Sequence, residues 1–474
     1  MYVINYIGLF AARRGEQRLE QVARDIRRYV AVSVATVFVV TVMGIVDSLI
    51  AGRMIGELAL AVTGLSLPVF LFFNMITAIF SIGGSITAAQ ALGAGDRGRA
   101  SLAASVTLCA SLCFCAAAAL ALFIFSRRIS ALLGASSQVL EMTAGYIKGS
   151  AFTLVAMLPS QCLCSLARVD GRPWLSLRMM LLVTLFNALL DYTFIRAGAG
   201  MFGVALATGL SYLLAAGSLL KYYLSASCSY QFVNPLRGLA LLGVIVSTGL
   251  PNSLNFLWMT INSLAVNRLL VSLGGLAALT ACSVMNNTDL FMSFAIMGPC
   301  FSLTTLMSIY YGKKDAAAIR FIAKRVVACG LALTALLSCV IFAAPAVVAG
   351  FFGVKDAAAL FDCAAALRWL SFAVLVRQFS NFLLYYYQST RHVALANAVT
   401  FMRCLGVFAI VIVPLVKCFG INGVWCVSAV ARTLTVLGAA AWAVRTSRRK
   451  RKNSDLLDSV LMLPDDFKKM PSGK

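Results

Sequence analysis

Long apolar runs separated by short loops are the feature that most constrains the fold of this chain. A membrane-crossing helix needs roughly 20 predominantly apolar residues. Twelve runs satisfy this requirement, at 29–51, 60–92, 101–125, 139–166, 174–195, 201–224, 239–271, 277–308, 322–343, 359–388, 393–415 and 421–444. Only 12% of all residues are charged, against about 25% in a soluble domain. The sequence therefore predicts an all-α polytopic membrane protein with twelve transmembrane helices.

The basic residues behind the formal net charge of +23 lie between the apolar runs, on alternate connections. Cytoplasmic loops carry such an excess of Lys and Arg. We therefore expect a multi-pass protein of the plasma (inner) membrane with both termini cytoplasmic, and no nucleic-acid partner. Residues 1–28 are predicted to form a basic cytoplasmic segment, and residues 445–474 a basic tail that can touch anionic lipid headgroups.

The two halves of the chain repeat each other at a spacing of 219 to 220 residues. Gly93–Asp96 corresponds to Gly312–Asp315, and Met201–Val204 to Ile421–Val424. Since each half has six helices, both have the same orientation, and their pseudo-twofold axis lies along the membrane normal. We predict two six-helix bundles, 29–224 (helices 1–6) and 239–444 (helices 7–12), joined by a cytoplasmic linker at 225–238.

Asp47, Asn187 and Asp191 are polar residues inside the apolar runs of the first half. A carboxylate at membrane depth costs roughly 3 kcal/mol or more, and is usually retained beside a water-filled or substrate-bearing cavity. Asn187 and Asp191 are four residues apart and share a helix face. Asp47 and Asp191 each lie about 6 Å inside the outward end of their span. Thr208, in the next helix, falls close to Asn187, so four polar groups should converge in one layer.

Two neighbouring carboxyl groups in a partly dehydrated pocket disfavour double ionisation. Gaining a proton removes a charge and creates a hydrogen-bond donor, which can rearrange bonds to Asn187 and Thr208. Na⁺ could bind the oxygens of Asp47 and Asp191 instead. The alternative is that these acids are helix-end residues with purely structural hydrogen bonds, and that Asn187 and Thr208 only join helices.

The second half has a different set of polar residues in its spans. The counterparts of Asn187 and Asp191 are Val407 and Val411, so the repeated fold does not require polarity there. Asp289 and Arg377 are candidates for an ion pair. That pair could be a structural tie, or could help to form a site for zwitterionic or anionic substrates.

Other second-half spans carry Arg403 and Arg432, which make this half unusually basic. Asn255 and Asn262 are seven residues apart on one face of the seventh helix. They can line a cavity or serve helix packing. Asp96 and Asp315 follow glycines in short loops and are predicted to cap the next helices.

Several strings resemble the multidrug and toxic compound extrusion (MATE) family of transporters. They are Met43–Gly52, Gln90–Asp96, Asn187–Tyr192, Gly203–Thr208 and Gly249–Pro251. The resemblance covers about 29–444 and implies a two-lobed secondary antiporter that exports organic, often cationic, compounds. One branch of that family has a glutamate at the position of Met259 here. The resemblance therefore favours the prokaryotic branch, whose network would comprise Asp47, Asn187, Asp191 and Thr208.

The sequence offers little for an enzyme. It has no phosphate-binding Gly-Lys-Ser/Thr loop, and His392 is its single histidine, so no histidine-rich metal site or Ser-His-acid set can form. We expect a monomer that uses an H⁺ or Na⁺ gradient, without a cofactor or resident metal, to export a small organic substrate. The alternative within the same superfamily is a lipid-linked saccharide flippase, whose large anionic substrate would suit the second-half arginines.

Overall fold

The computed structural model describes residues 2–352 and 357–450, which are helical throughout apart from short connections and contain no strand. The helices are α1 (Tyr2–Met54), α2 (Glu57–Leu65), α3 (Leu67–Thr77), α4 (Gly83–Gly93), α5 (Arg97–Leu132), α6 (Leu140–Val169), α7 (Pro173–Arg196), α8 (Gly200–Tyr223), α9 (Leu239–Gly312), α10 (Ala316–Ala343), α11 (Pro345–Phe351), α12 (Ala357–Ser389), α13 (Val393–Phe401), α14 (Val407–Phe419) and α15 (Ile421–Lys450). A π turn at Ala78–Ile82 joins α3 to α4, and another at Met402–Gly406 joins α13 to α14.

Eleven segments of the described chain are long and apolar enough to cross a membrane. They coincide with eleven of the twelve predicted crossings. The remaining prediction, 359–388, falls in α12, a 33-residue helix that carries Asp362, Arg368 and Arg377 and is not among the eleven. The polytopic all-α prediction is confirmed.

The seventh and eighth crossings differ from the prediction in one respect. The turn expected at 272–276 is not formed, and α9 is helical from Leu239 to Gly312. The stretch between the predicted spans 239–271 and 277–308 contains Gly274 and Gly275. Glycine costs a helix only about 1 kcal/mol and, unlike proline, removes no backbone hydrogen bond.

The helices of the first and last crossings continue without interruption into the described parts of the two predicted terminal segments. α1 begins at Tyr2 and continues through residue 28 into the first crossing. On this helix, Arg18 donates a hydrogen bond to the buried Asp315 carboxylate. At the other end, α15 runs to Lys450, and residues 451–474 of the predicted tail lie outside the described residues.

The described chain divides into two compact units. One is Val34–Ile261, and the other contains the chain from Asn262 onward together with the segment up to Ser33. The division falls inside the long helices α1 and α9, whereas the sequence places the lobe boundary at 225–238. The lobe bounds 29–224 and 239–444 stay predictions.

The internal repeat is visible in the backbone of the loops. Three pairs of residues at a spacing of 219 or 220 adopt a left-handed conformation. The pairs, with their φ angles, are Gly95 (82°) and Lys314 (56°), Gly171 (77°) and Arg391 (63°), and Gly200 (54°) and Gly420 (57°). In the first two pairs this residue ends a helix and the second half has a basic side chain in place of glycine.

The predicted caps form too: Asp96 accepts from the Arg99 amide at 2.8 Å and Asp315 from the Ala318 amide at 3.1 Å.

Close packing of α6 against α8 holds the first unit together. A Cβ atom on Gly149 would lie 2.7 Å from both the Ala205 Cβ and the Phe202 carbonyl oxygen. One turn later, the Thr153 hydroxyl donates to the Ala205 carbonyl at 2.7 Å. Small residues and hydroxyl groups of this kind are how membrane helices associate at short range.

We expect Gly149→Ala to destabilise the protein by about 1–3 kcal/mol, because the added methyl would overlap backbone and Cβ atoms of α8 that cannot rotate away. The unfolding temperature of the purified protein in detergent measures this. Gly145→Ala is the matched control: it lies one turn earlier on α6, and its Cβ would be 3.8 Å from the Phe202 Cβ, an ordinary contact. Equal losses in both variants would contradict the packing account.

Candidate functional site

Asp47 on α1 and Asp191 on α7 face each other inside the unit Val34–Ile261. Asp191 is 0% exposed, and Asp47 is half-buried. Their carboxyl groups are near enough to share a hydrogen bond when one of them carries a proton. Residues 144 positions apart in the chain are thus brought into one polar contact.

Three of the four carboxyl oxygens of this pair are buried without a hydrogen-bond donor from the described residues. Among the described residues, neither oxygen of Asp191 and not Oδ1 of Asp47 accepts a hydrogen bond. A buried carboxylate without a partner is costly, and two ionised carboxylates in contact repel each other. A proton shared between them, or a cation held by both, would remove the repulsion and satisfy the oxygens.

Asn187 and Thr208 form the second half of the predicted network. Asn187 is 1% exposed, lies one helical turn before Asp191, and donates from Nδ2 to the Thr208 hydroxyl at 3.3 Å. Thr208 in turn donates to the Val204 carbonyl at 3.2 Å. The structure therefore groups the four predicted residues as two pairs, one of carboxyl groups and one of neutral side chains.

Tyr146 belongs to the same layer and was missed in the sequence. Its ring is 4% exposed on α6, and its hydroxyl lies within electrostatic range of both Asp47 and Asp191. Counting depth could have found it, since Tyr146 and Thr208 both lie seven residues into their predicted spans. An apolar cluster packs around Tyr146, and its buried members include Ala51, Val62 and Val204.

The second-half candidates separate into different environments. Arg377 Nη1 on α12 donates to Asp289 Oδ2 on α9, so the predicted ion pair forms. Their side chains are 13% and 27% exposed, respectively. Oδ1 of Asp289 and Nε of Arg377 are buried and make no hydrogen bond to a described residue.

Asn262 and Asn255 lie on the same helix but in different units. Asn255 is buried in the first unit. Asn262 donates from Nδ2 to the backbone carbonyl of Cys404, inside the π turn Met402–Gly406. A π turn disturbs the regular helical ladder, and Asn262 supplies a donor to that turn, which is a structural use.

Within the described ranges, no three His, Cys, Asp or Glu residues are grouped so that they could hold a metal ion. Any ion at Asp47 and Asp191 would be held by the oxygens of these two carboxyl groups. Carboxylate oxygens are ligands for hard cations.

Comparison with known proteins agrees with this description. The model of the MatE family matches residues 33–193 and 251–421. The multidrug export protein MepA of Staphylococcus saprophyticus is 25% identical over 322 residues, which cover 67% of this chain and 70% of MepA. MepA of Staphylococcus aureus is 24% identical over 272 residues, and the aligned part spans 60% of its length.

Solved transporters share the fold. The bent form of the Vibrio cholerae MATE transporter VcmN superposes with a TM-score of 0.82 at 18% identity, covering 94% of this chain and 99% of VcmN. A MOP superfamily transporter from Pyrococcus furiosus, described as having a binding pocket of reverse polarity, superposes with a TM-score of 0.82 at 20% identity, covering 91% and 97%. Since the family match extends over more than half of the residues, this chain belongs to the MatE family of membrane transporters.

Proposed function

We propose that this protein is a secondary antiporter of the plasma (inner) membrane, with both termini cytoplasmic. It exports amphipathic, positively charged organic compounds in exchange for H⁺ or Na⁺, by alternating access of its two lobes. Family membership and the export activity named for the MepA proteins support this direction of transport.

The carboxyl pair of Asp47 and Asp191 carries the proposal. With one proton between them, the pair has a single negative charge and an internal hydrogen bond. Losing that proton leaves two adjacent charges in a buried site, which favours taking up a cation or rearranging the surrounding helices. Na⁺ bound between the oxygens would play the same part. The pair can therefore couple ion movement to a change in helix packing.

Replacing either acid should uncouple export from the ion gradient. We expect Asp47→Asn and Asp191→Asn each to lower gradient-driven export by roughly 5- to 150-fold, the range of ordinary coupling free energies. The measurement is efflux of a fluorescent organic cation from proteoliposomes, with the pH and Na⁺ gradients imposed separately. The gradient that drives the wild type identifies the coupling ion.

Asp96→Asn is the matched control for these variants. It makes the same chemical change at an acid that caps α5, and Asn is an equally good cap. Export should stay at the wild-type level in this variant. Gradient-driven export that survives in both folded Asp47 and Asp191 variants would refute the coupling role.

The single histidine should not contribute to the pH dependence. His392 lies in the connection between α12 and α13, and burial lowers its pKa below the ordinary histidine value. A lowered pKa means that the ring is already neutral at neutral pH and gains charge only in more acidic solution. We expect His392→Gln to leave the pH profile of export unchanged, whereas Asp191→Asn flattens it. A shifted pH profile in the His392 variant would mean that His392, and not only the pair of Asp47 and Asp191, takes part in a proton step of export.

The flippase alternative is favoured by one observation, the concentration of arginines in the spans of the second half. If the wild type is folded and moves no organic cation under either gradient, transport of a lipid-linked anionic saccharide becomes the better assignment.

A further inference from the structure

Three arginines lie close together in the second compact unit, in the part of the chain that follows Asn262. Arg377 on α12 pairs with Asp289 on α9, and Arg403 in the π turn and Arg432 on α15 lie nearby; we call these four residues the arginine cluster. Arg403 donates to the Ser380 hydroxyl at 3.3 Å and to the Asn381 side-chain oxygen. Arg432 lies within electrostatic range of the other three members.

The arginine cluster lies at membrane depth. Arg403 is ten residues into the candidate span Val393–Phe419, and Arg432 is eleven residues into Ile421–Trp442. At 1.5 Å per residue each is about 15 Å from the end of its helix, near the middle of a hydrocarbon layer of about 30 Å. These arginines are too deep for the usual extension of a basic side chain to the membrane surface.

The charges of the arginine cluster do not balance. A guanidinium group stays protonated in proteins, so three arginines face one carboxylate. In the charge environment of Arg432, Asp289 is the single carboxylate among the described residues, against Arg377 and Arg403. Ser380 and Asn381 are neutral acceptors and cannot offset the excess. A buried positive excess of this kind calls for an anion.

Part of the arginine cluster is open to its surroundings. The Asp289 side chain is 27% exposed and that of Arg377 is 13% exposed, whereas Arg403 is 5% exposed. An ion pair open to lipid tails would be penalised, so the exposed side has to meet water or a polar ligand. Nε of Arg377 is also buried and has no hydrogen-bond partner among the described residues, which leaves a donor available beside the ion pair.

The repeated fold does not require these charges. In the first half, Met157, Val183 and Tyr212 occupy the positions equivalent to Arg377, Arg403 and Arg432 at a spacing of 220. An uncharged, packed arrangement is therefore compatible with the same frame. A merely structural explanation of the cluster would have to account for three arginines where the first half needs none.

We propose that the arginine cluster binds a carboxylate or similar anionic group of the exported compound. Arg403 and Arg432 supply the positive charge, and Arg377 presents its remaining donors while Asp289 holds one edge of its guanidinium. The preferred substrates are then zwitterionic amphipaths, which combine an organic cation with an ionised acid. This inference rests on the export proposed above and specifies its substrate class.

The test compares a rhodamine with a free carboxyl group and its methyl ester. Both dyes have the same fluorescent cationic ring system and nearly equal size. The acid carries an additional carboxylate and is a zwitterion, whereas the ester is only a cation. We expect the purified wild type in detergent to bind the acid at least about tenfold more tightly than the ester by fluorescence polarisation, as charge-assisted paired hydrogen bonds allow. In proteoliposomes, the acid should have the lower KM for export.

The variants Arg377→Gln and Arg403→Gln should remove this preference by weakening binding of the acid alone. Arg377→Lys keeps the charge, loses the fork of donors, and should give an intermediate loss. Arg368→Gln, an exposed arginine on the same helix α12, is the matched control and should retain the preference.

Each outcome decides the proposal. If the wild type binds both dyes equally, or if the variants weaken both dyes to the same extent, the arginine cluster is structural and the inference is wrong. If the wild type prefers the acid in the binding assay but exports neither dye, the anion site stands and the proposed export function fails.

Discussion

Charge inside a hydrocarbon layer is the constraint on which this structure depends. Water cannot compensate an ion there, so each ionised side chain needs an opposite charge, a proton, or an opening to a polar cavity. The chain meets this requirement in two ways. Asp47 and Asp191 are two acids that a single proton or cation can serve, whereas the arginine cluster has one acid among three bases.

The two solutions occur on equivalent scaffolds. The halves share capping aspartates and left-handed loop residues at a nearly constant spacing. Yet Val407 and Val411 replace the Asn187 and Asp191 pair in one half, and Met157 and Val183 replace Arg377 and Arg403 in the other. Duplication supplied the frame twice, and each copy acquired a charged centre of opposite sign.

Local sequence patterns predicted what local interactions determine. Apolar length located the crossings, and an aspartate that follows glycine in a short loop identified the caps of α5 and α10. The spacing of Asn187 and Asp191 predicted a common face. These features depend on a few neighbouring residues, so a single sequence is sufficient to find them.

Contacts between distant helices were harder to predict. Tyr146 joins the acidic pair through the packing of α6, and Asn262 supports a π turn 140 residues later. No local pattern distinguishes Asn262 from an ordinary polar side chain in a span, and Tyr146 can be found only by comparing its depth with that of Thr208. The continuity of α9 was missed as well, because 239–271 and 277–308 were predicted as separate spans, whereas the residues between them contain no proline and remain helical.

The left-handed positions occupied by Lys314 and Arg391 have a consequence for how the protein enters the membrane. A side chain in this conformation costs roughly 1–2 kcal/mol, which the equivalent Gly95 and Gly171 avoid. Both basic residues lie in connections that we assign to the cytoplasm, where positive charge holds a newly synthesised hairpin back from translocation. Lys314 and Arg391 keep a positive charge on these two loops at a cost in backbone strain. With the proposed cytoplasmic placement of these loops, that strain is the cost of the charge that would fix the orientation of the second half.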